Sequence, residues 1–329
     1  MSDLKRRAKG GVDSMMNKSN SLMIFCAVIA LAGTACPGET PMIKLTQEKD
    51  TISVEIGGKP FTTYYFADGK GLSYTRPFFY PVLAPDSTEV TSDQANVKGG
   101  DHPHHRSLWV AHGDVNGADH WALNLKGAQI PKQRHIKFTK VEGDTIEEQL
   151  EWEGKTFEPI LRETRTFRFM QFKDGSRGID FTLVFTPISE PVTFGDTKEA
   201  GLCAVRMAKE ISAHAVITNS TGDTGEKKCW GKPAAWCDES GEINGKPYGI
   251  TIIDHPANPR YPSTWHVREY GLMSANIFGL HDFDKTKPKG AGNFTIEKDK
   301  PVTFRYRVVV HGGDAKSAGL DEKAKEFGL

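Results

Sequence analysis

The chain has 329 residues, and its 42 basic and 42 acidic side chains give a formal net charge of zero. That balance supplies no attraction to nucleic acid or to an anionic membrane surface. A hydrophobic content of 38% with 33 glycines excludes a disordered or collagen-like chain and suffices for one large β domain or two ordinary ones.

Lys5, Arg6, Arg7, Lys9 and Lys18 precede an apolar run from Leu22 to Ala32, followed by Gly33, Thr34, Ala35 and Cys36. This is the pattern of a bacterial secretory signal over residues 1–35, too short to span a bilayer well, with 36–41 as a linker. Met15 or Met16 can equally serve as the start. Cleavage would remove five basic and two acidic residues and leave a net charge of −3. The product is expected to be periplasmic or at the cell surface, either freely secreted or lipid-anchored at Cys36; Gly33 stands where lipoprotein signals usually carry Leu. In an oxidising compartment Cys229 and Cys237 are expected to form a disulfide, a closure with an entropic effect of roughly 2–3 kcal/mol. Cys203 reads as a buried thiol.

From Met42 onward the chain alternates apolar and polar residues. Ile43–Thr46, Ile52–Ile56 and Pro60–Phe66 are followed by His135–Val141, Thr145–Trp152, Ile160–Met170 and Ile179–Phe185. The last two read as hairpin partners. Leu202–Ala208, Tyr248–Asp254, Leu272–Phe278 and Pro301–His311 complete the strong signals. Only Asp314–Phe327 reads as helical, with Asp314 as its cap. No glycine-rich nucleotide loop accompanies a strand-to-helix turn. The expected fold is all-β, one large antiparallel sandwich over 42–329 with a short C-terminal helix.

Five of the eleven histidines fall in Asp101-His-Pro-His-His-Arg-Ser-Leu-Trp109 and the following Ala111 to Trp121. Imidazole exchanges protons near neutral pH and is a common metal ligand. On an extended chain His102 and His104 would share a face and His105 would point the other way. A metal site lacks the carboxylate that usually follows a His-x-His pair, but remains one reading; satisfied structural histidines are another. The third is a polar ligand site with acid–base work. There His102, His104 and His105 act with a carboxylate, Arg106 and His112 bind polar groups, and Trp109 and Trp121 offer flat faces. Glu199, in a Gly-flanked loop before an apolar strand, is the candidate carboxylate, with a solvated loop charge as the alternative. His255, Arg260, Trp265, His266 and Arg268 form a second polar group; alternation places Trp265 and Val267 on one face and His266 and Arg268 on the other, where they either point together into a pocket or lie on a solvated strand face.

The blocks Asp101-His-Pro-His-His-Arg-Ser-Leu-Trp, Ala111-His-Gly-Asp-Val-Asn-Gly, Asp196-Thr-Lys-Glu-Ala-Gly and Asp254-His-Pro-Ala-Asn-Pro-Arg…Trp265-His-Val-Arg occur in that order. Over about Ile43–Gly312 the chain resembles an exported bacterial family commonly labelled methane oxygenase PmoA, or treated as a domain of unknown function. That label implies a membrane methane monooxygenase subunit, whose transmembrane helices this sequence has no apolar stretch to build. At fold level the family is similar to the galactose-mutarotase supersandwich. The resemblance implies His104 or His105 as general acid and Glu199 as general base on a sugar or sugar acid, with no cofactor. The expectation is a carbohydrate-binding and carbohydrate-active protein such as an epimerase, lyase or hydrolase. The alternatives are a non-catalytic carbohydrate-binding protein and a metal enzyme using the histidines.

Overall fold

The computed structural model describes residues 42–67, 75–123 and 130–328. The expected signal segment 1–35, the expected linker 36–41 and Cys36 lie outside the described residues. Contacts gather Thr40–Leu329 into one compact unit.

The strands follow the sequence alternation. They are β1 (Ile43–Gln47), β2 (Thr51–Ile56), β3 (Lys59–Tyr65), β4 (Phe78–Val82), β5 (Leu108–His112), β6 (Gln133–Glu142), β7 (Thr145–Glu153), β8 (Pro159–Gln171) and β9 (Arg177–Pro187). The chain continues through β10 (Val192–Phe194), β11 (Ala200–Arg206), β12 (Val216–Asn219), β13 (Trp236–Ile243), β14 (Lys246–Asp254), β15 (Trp265–Arg268), β16 (Leu272–Ala275), β17 (Phe294–Ile296) and β18 (Val302–Gly312). Short helices are α1 (Lys209–Ser212), α2 (Glu226–Cys229), α3 (Leu280–Phe283) and α4 (Leu320–Glu326).

Two eight-stranded antiparallel sheets run β1-β2-β3-β4-β5-β11-β16-β15 and β12-β13-β14-β18-β9-β8-β7-β6, and β10 pairs with β17. The all-β sandwich is therefore as expected, including the β8–β9 hairpin, whose register sets Phe169 opposite Ile179. The inward side chains of both sheets form one core, in which Val54, Phe61 and Val205 meet Phe167, Ile250 and Val308.

The C-terminal helix is shorter than the expected Asp314–Phe327. Asp314 caps a turn instead, accepting a hydrogen bond from Ser317 N at 2.9 Å, and α4 begins after Gly319. Gly319 has φ +59°, a left-handed conformation that breaks any helix running in from Asp314. Cys229 and Cys237 are free, buried thiols, not the expected disulfide. Cys229, in α2, directs its thiol at Asp223 O, while Cys237 lies in the core on β13. Burial pushes the Cys229 thiol up to about 11 and that of Cys237 well above its ordinary value, so both pack as neutral groups.

Between the sheets lies a buried polar network. Glu163 accepts hydrogen bonds from Trp152 Nε1 at 2.7 Å and from Arg165 Nε and Nη2 at 2.7 Å each, and Arg165 also reaches Gln133 Oε1 at 3.1 Å. Glu163 is fully buried and Arg165 is 1% exposed. Glu163→Ala would strand the guanidinium, and an expected loss of about 3–5 kcal/mol is checked by urea unfolding as a lowered midpoint at unchanged slope.

Candidate functional site

The site is built on the outer face of the first sheet, where β5, β11, β16 and β15 run side by side. Residues directly opposite one another in an antiparallel ladder share a face. Trp109 stands opposite Ala204, Ala204 opposite Ser274, and Ser274 opposite His266. The next outer row is Arg206, Leu272 and Arg268. The inner rows, including Val205, Met273, Val267 and Trp265, belong to the main core. Gly201 leaves room for Ser274, whose hydroxyl would lie 1.9 Å from an added Cβ. Small side chains at Ala204 and Ser274 thus leave a depression between Trp109 and His266.

The loop bearing the histidine run covers this depression. Pro103 does not continue an extended strand; it turns the chain, so that His105 N donates to His102 O at 2.8 Å. That turn overturns the expected opposite facing of His105 and gathers three imidazoles. His105 stacks between Trp109 (5.5 Å, 22°) and His102 (4.8 Å, 4°), and His102 stacks on Tyr270 (4.7 Å, 14°). His104 meets His105 edge-on at 4.5 Å. Arg76, fully buried, ties the loop down by donating to the carbonyls of His104 and His120.

The resulting cavity, about 610 Å³, is lined by His102, His104, His105, Glu199, His266 and Arg268, with Asp119, Trp121, Ala122, Lys198, Glu226 and Tyr270 completing the wall. Seven of the residues singled out in the sequence, Trp121 among them, are thus brought together. Others are not. Arg106 is 2% exposed and held by Asp93, with Nε–Oδ1 at 2.6 Å and Nη2–Oδ2 at 3.1 Å, so it is a buried ion pair and no ligand clamp. Trp109 lies beneath His105 and forms the floor. His112 faces the core between Phe194 and Phe278, with Nε2 3.0 Å from Gly195 O. Trp265 is fully buried and donates Nε1 to Ala234 O at 2.9 Å. His255 packs on Phe327 and accepts from Ala257 N, away from the cavity.

Sequence reasoning missed Asp119, Lys198, Glu226, Arg206 and Tyr270. Arg206 had a signal, a charge inside an apolar strand, and Tyr270 continues the His266, Arg268 alternation. Glu226 had none, because its pairing with Arg268 at 2.7 Å spans distant segments.

The imidazoles of His104, His105 and His266 are held neutral. Burial, reinforced by Arg76, pushes His104 down to about 4, and burial with His104 and Arg206 pushes His105 further below the usual range. Burial takes His266 down to about 4. His266 is 1% exposed, and neither ring nitrogen has a hydrogen-bond partner of good geometry, although the backbone of Lys198 passes alongside. Burial raises the Tyr270 phenol to about 12, so it remains an O–H donor. Glu199 is half-exposed and ion-paired with Lys198. Among the described residues no group of three or more His, Cys, Asp or Glu side chains is arranged to hold a metal ion.

Residues 51–325 match a family described as a family of unknown function (DUF6807). The chain belongs to that family. Among solved structures it is similar to a galactose 1-epimerase from Lactobacillus acidophilus NCFM, at 7% identity, covering 84% of this chain and 100% of that one, with a TM-score of 0.35. It is also similar to an aldose epimerase homologue from C. elegans (5% identity, 84% and 99% covered, TM-score 0.33) and to a heparinase III (9% identity, 85% and 35% covered, TM-score 0.33). No curated protein matches the chain. None of the helices among the described residues is long and apolar enough to cross a membrane.

Two measurements follow from this geometry. Arg106→Ala would leave Asp93 buried and unpaired, so it is expected to cost about 3–5 kcal/mol in denaturant unfolding. The second concerns pH. Burial holds His112 and His120 down to about 3 each, alongside His104 and His266 at about 4. Their unfolded values are about 6.5, so between about pH 4 and 6.5 the unfolded chain binds more protons and stability rises with pH. Asp254, raised by burial to about 6, and Glu239, raised by burial well above its ordinary value, oppose this, but they are fewer than the histidines. Thermal midpoints are expected to climb from pH 4.5 to 6.5, within about the window those values set; a flat profile would mean the imidazoles are not buried neutral.

Proposed function

We propose that this protein is exported, binds a sugar or sugar acid in the histidine-lined cavity and acts on it by proton transfer. The observation that carries the reading is His266. An unsatisfied buried polar group costs about 1–3 kcal/mol, and this imidazole, which has at most the backbone of Lys198 beside it, lines a cavity open to a polar ligand. Around it are the groups a carbohydrate needs: Trp121 and Tyr270 for the apolar faces of a ring, Arg268 and Lys198 for hydroxyls or a carboxylate, and Glu199 as the proton acceptor. The acid role is modified from the sequence expectation. At neutral pH His104 and His105 carry no imidazolium proton, so they polarise a ligand oxygen as N–H donors, with the Tyr270 hydroxyl as a further donor.

One observation favours non-catalytic binding as the second reading: Lys198 Nζ already occupies Glu199 Oε1, leaving the carboxylate less free to take a proton. Thermal unfolding against monosaccharides, uronic acids and oligosaccharides tests both. A ligand at a hundred times its dissociation constant stabilises by about 2.7 kcal/mol, a shift of several degrees. That shift is expected in the wild type and lost in His266→Ala. Glu199→Gln is expected to keep the shift and lower turnover by about 10²–10⁴-fold. A shift without product in the wild type would establish the binding protein, and no shift with any sugar would sink the carbohydrate reading.

A further inference from the structure

Arg206 ends the otherwise apolar strand β11, and it is 6% exposed. Its Nη1 lies 3.0 Å from His105 Nδ1, and its Nη2 donates to both Asp101 oxygens at 3.0 and 3.1 Å. The guanidinium lies over the Tyr270 ring at 4.8 Å. Guanidinium has N–H donors, no acceptor, and does not lose its proton in proteins. A ring nitrogen at hydrogen-bond distance from it must therefore supply the lone pair. In a neutral imidazole the single proton then sits on the other nitrogen.

We propose that Arg206 is a positioning residue that locks His105 in the neutral Nε2–H tautomer, with Asp101 holding the guanidinium in place. His105 then presents the cavity with a donor and no free lone pair. It recognises an oxygen of the ligand and does not serve as a general base, which leaves that role to Glu199. The stacking of His105 between Trp109 and His102 fixes the ring plane, while Arg206 fixes which edge faces which way. The other titratable groups facing His105 are His102 and His104 of its own turn, Arg76 and Tyr270. Among these Arg206 is the one whose donor reaches the ring nitrogen. The use of the tautomer on a ligand rests on the proton-transfer reading above; the lock itself does not.

Imidazole ¹⁵N spectra of the labelled full chain test the lock without any ligand, with His105 assigned by the signals lost in His105→Gln. In the wild type Nδ1 is expected to resonate as an unprotonated acceptor and Nε2 as an N–H nitrogen, unchanged from about pH 5 to 8. Arg206→Met removes charge and donors at similar length, and it is expected to mix the tautomers and raise the His105 titration midpoint by about 1 pH unit or more. Asp101→Asn keeps the guanidinium and one oxygen acceptor for its Nη2, and it is expected to keep the Nε2–H form. A wild-type Nδ1–H form, or an unchanged tautomer in Arg206→Met, overturns the proposal. The wild-type spectrum decides even where Arg206→Met fails to fold. A protein with the lock intact that binds no sugar would retain the tautomer assignment and lose the carbohydrate reading, so the two fail separately.

Discussion

The site depends on one constraint: the middle strands of the first sheet are covered on both faces. β5, β11 and β16 are buried along their whole length, although only their inner rows reach the second sheet. Their outer rows need a cover of their own, since a sheet face left apolar and open would be unstable in water. The loops around the histidine run provide it, closing a small second cluster of Phe78, Trp109, Trp121, Ala204 and Leu272. The cavity is what remains where that cover meets small residues. Site and packing are therefore the same piece of architecture, and the column of rings from Trp109 to Tyr270 is at once a lid on a sheet and the wall of a pocket.

Burying polar loops in this way demands fixed partners. Arg76 has no carboxylate among its hydrogen-bond partners; its two terminal nitrogens donate to carbonyl oxygens from two loop segments and to Thr75 Oγ1, its Nε is left without a partner, and the guanidinium lies 5.9 Å from the Trp109 ring. Burial and the nearby Arg106 bring its ordinary value down to about 9. Positive charges at Arg76 and Arg206 flank the imidazoles, so electrostatics and burial act in the same direction on His104 and His105. The neutral state of these rings follows from how the loop is held and requires no specialised base nearby.

Much of the fold was legible because both sheets present one alternating face to a common core, and alternation is a local signal. The same signal correctly separated His266 and Arg268 from Trp265 and Val267. It offered no guide for Trp109 and His112, since strands covered on both faces have no solvent side by which to tell functional from structural groups. Arg106 was misread because its partner, Asp93, is contributed by a preceding loop with no pattern to announce it. The histidine turn required recognising Pro103 as a turn former in place of an extended residue. Cys229 and Cys237 were paired on spacing and an expected oxidising compartment, neither of which carries information about whether two thiols face one another.

The two sides of the cavity are anchored unequally. The histidine turn is fastened by Arg76 and Arg206 to several backbone and side-chain groups, whereas β15 is the last strand of its sheet and ladders only with β16. Beyond that ladder β15 is held by Gly231 N on Trp265 O, by Trp265 Nε1 on Ala234 O, by Arg268 on Glu226 and by the core packing of Trp265 and Val267. The histidine wall is thus tied into the middle of the sheet, whereas the opposite wall sits on an edge strand whose outer side meets the loop around α2, so a change in that loop bears on the His266 side of the cavity and leaves the imidazole column untouched.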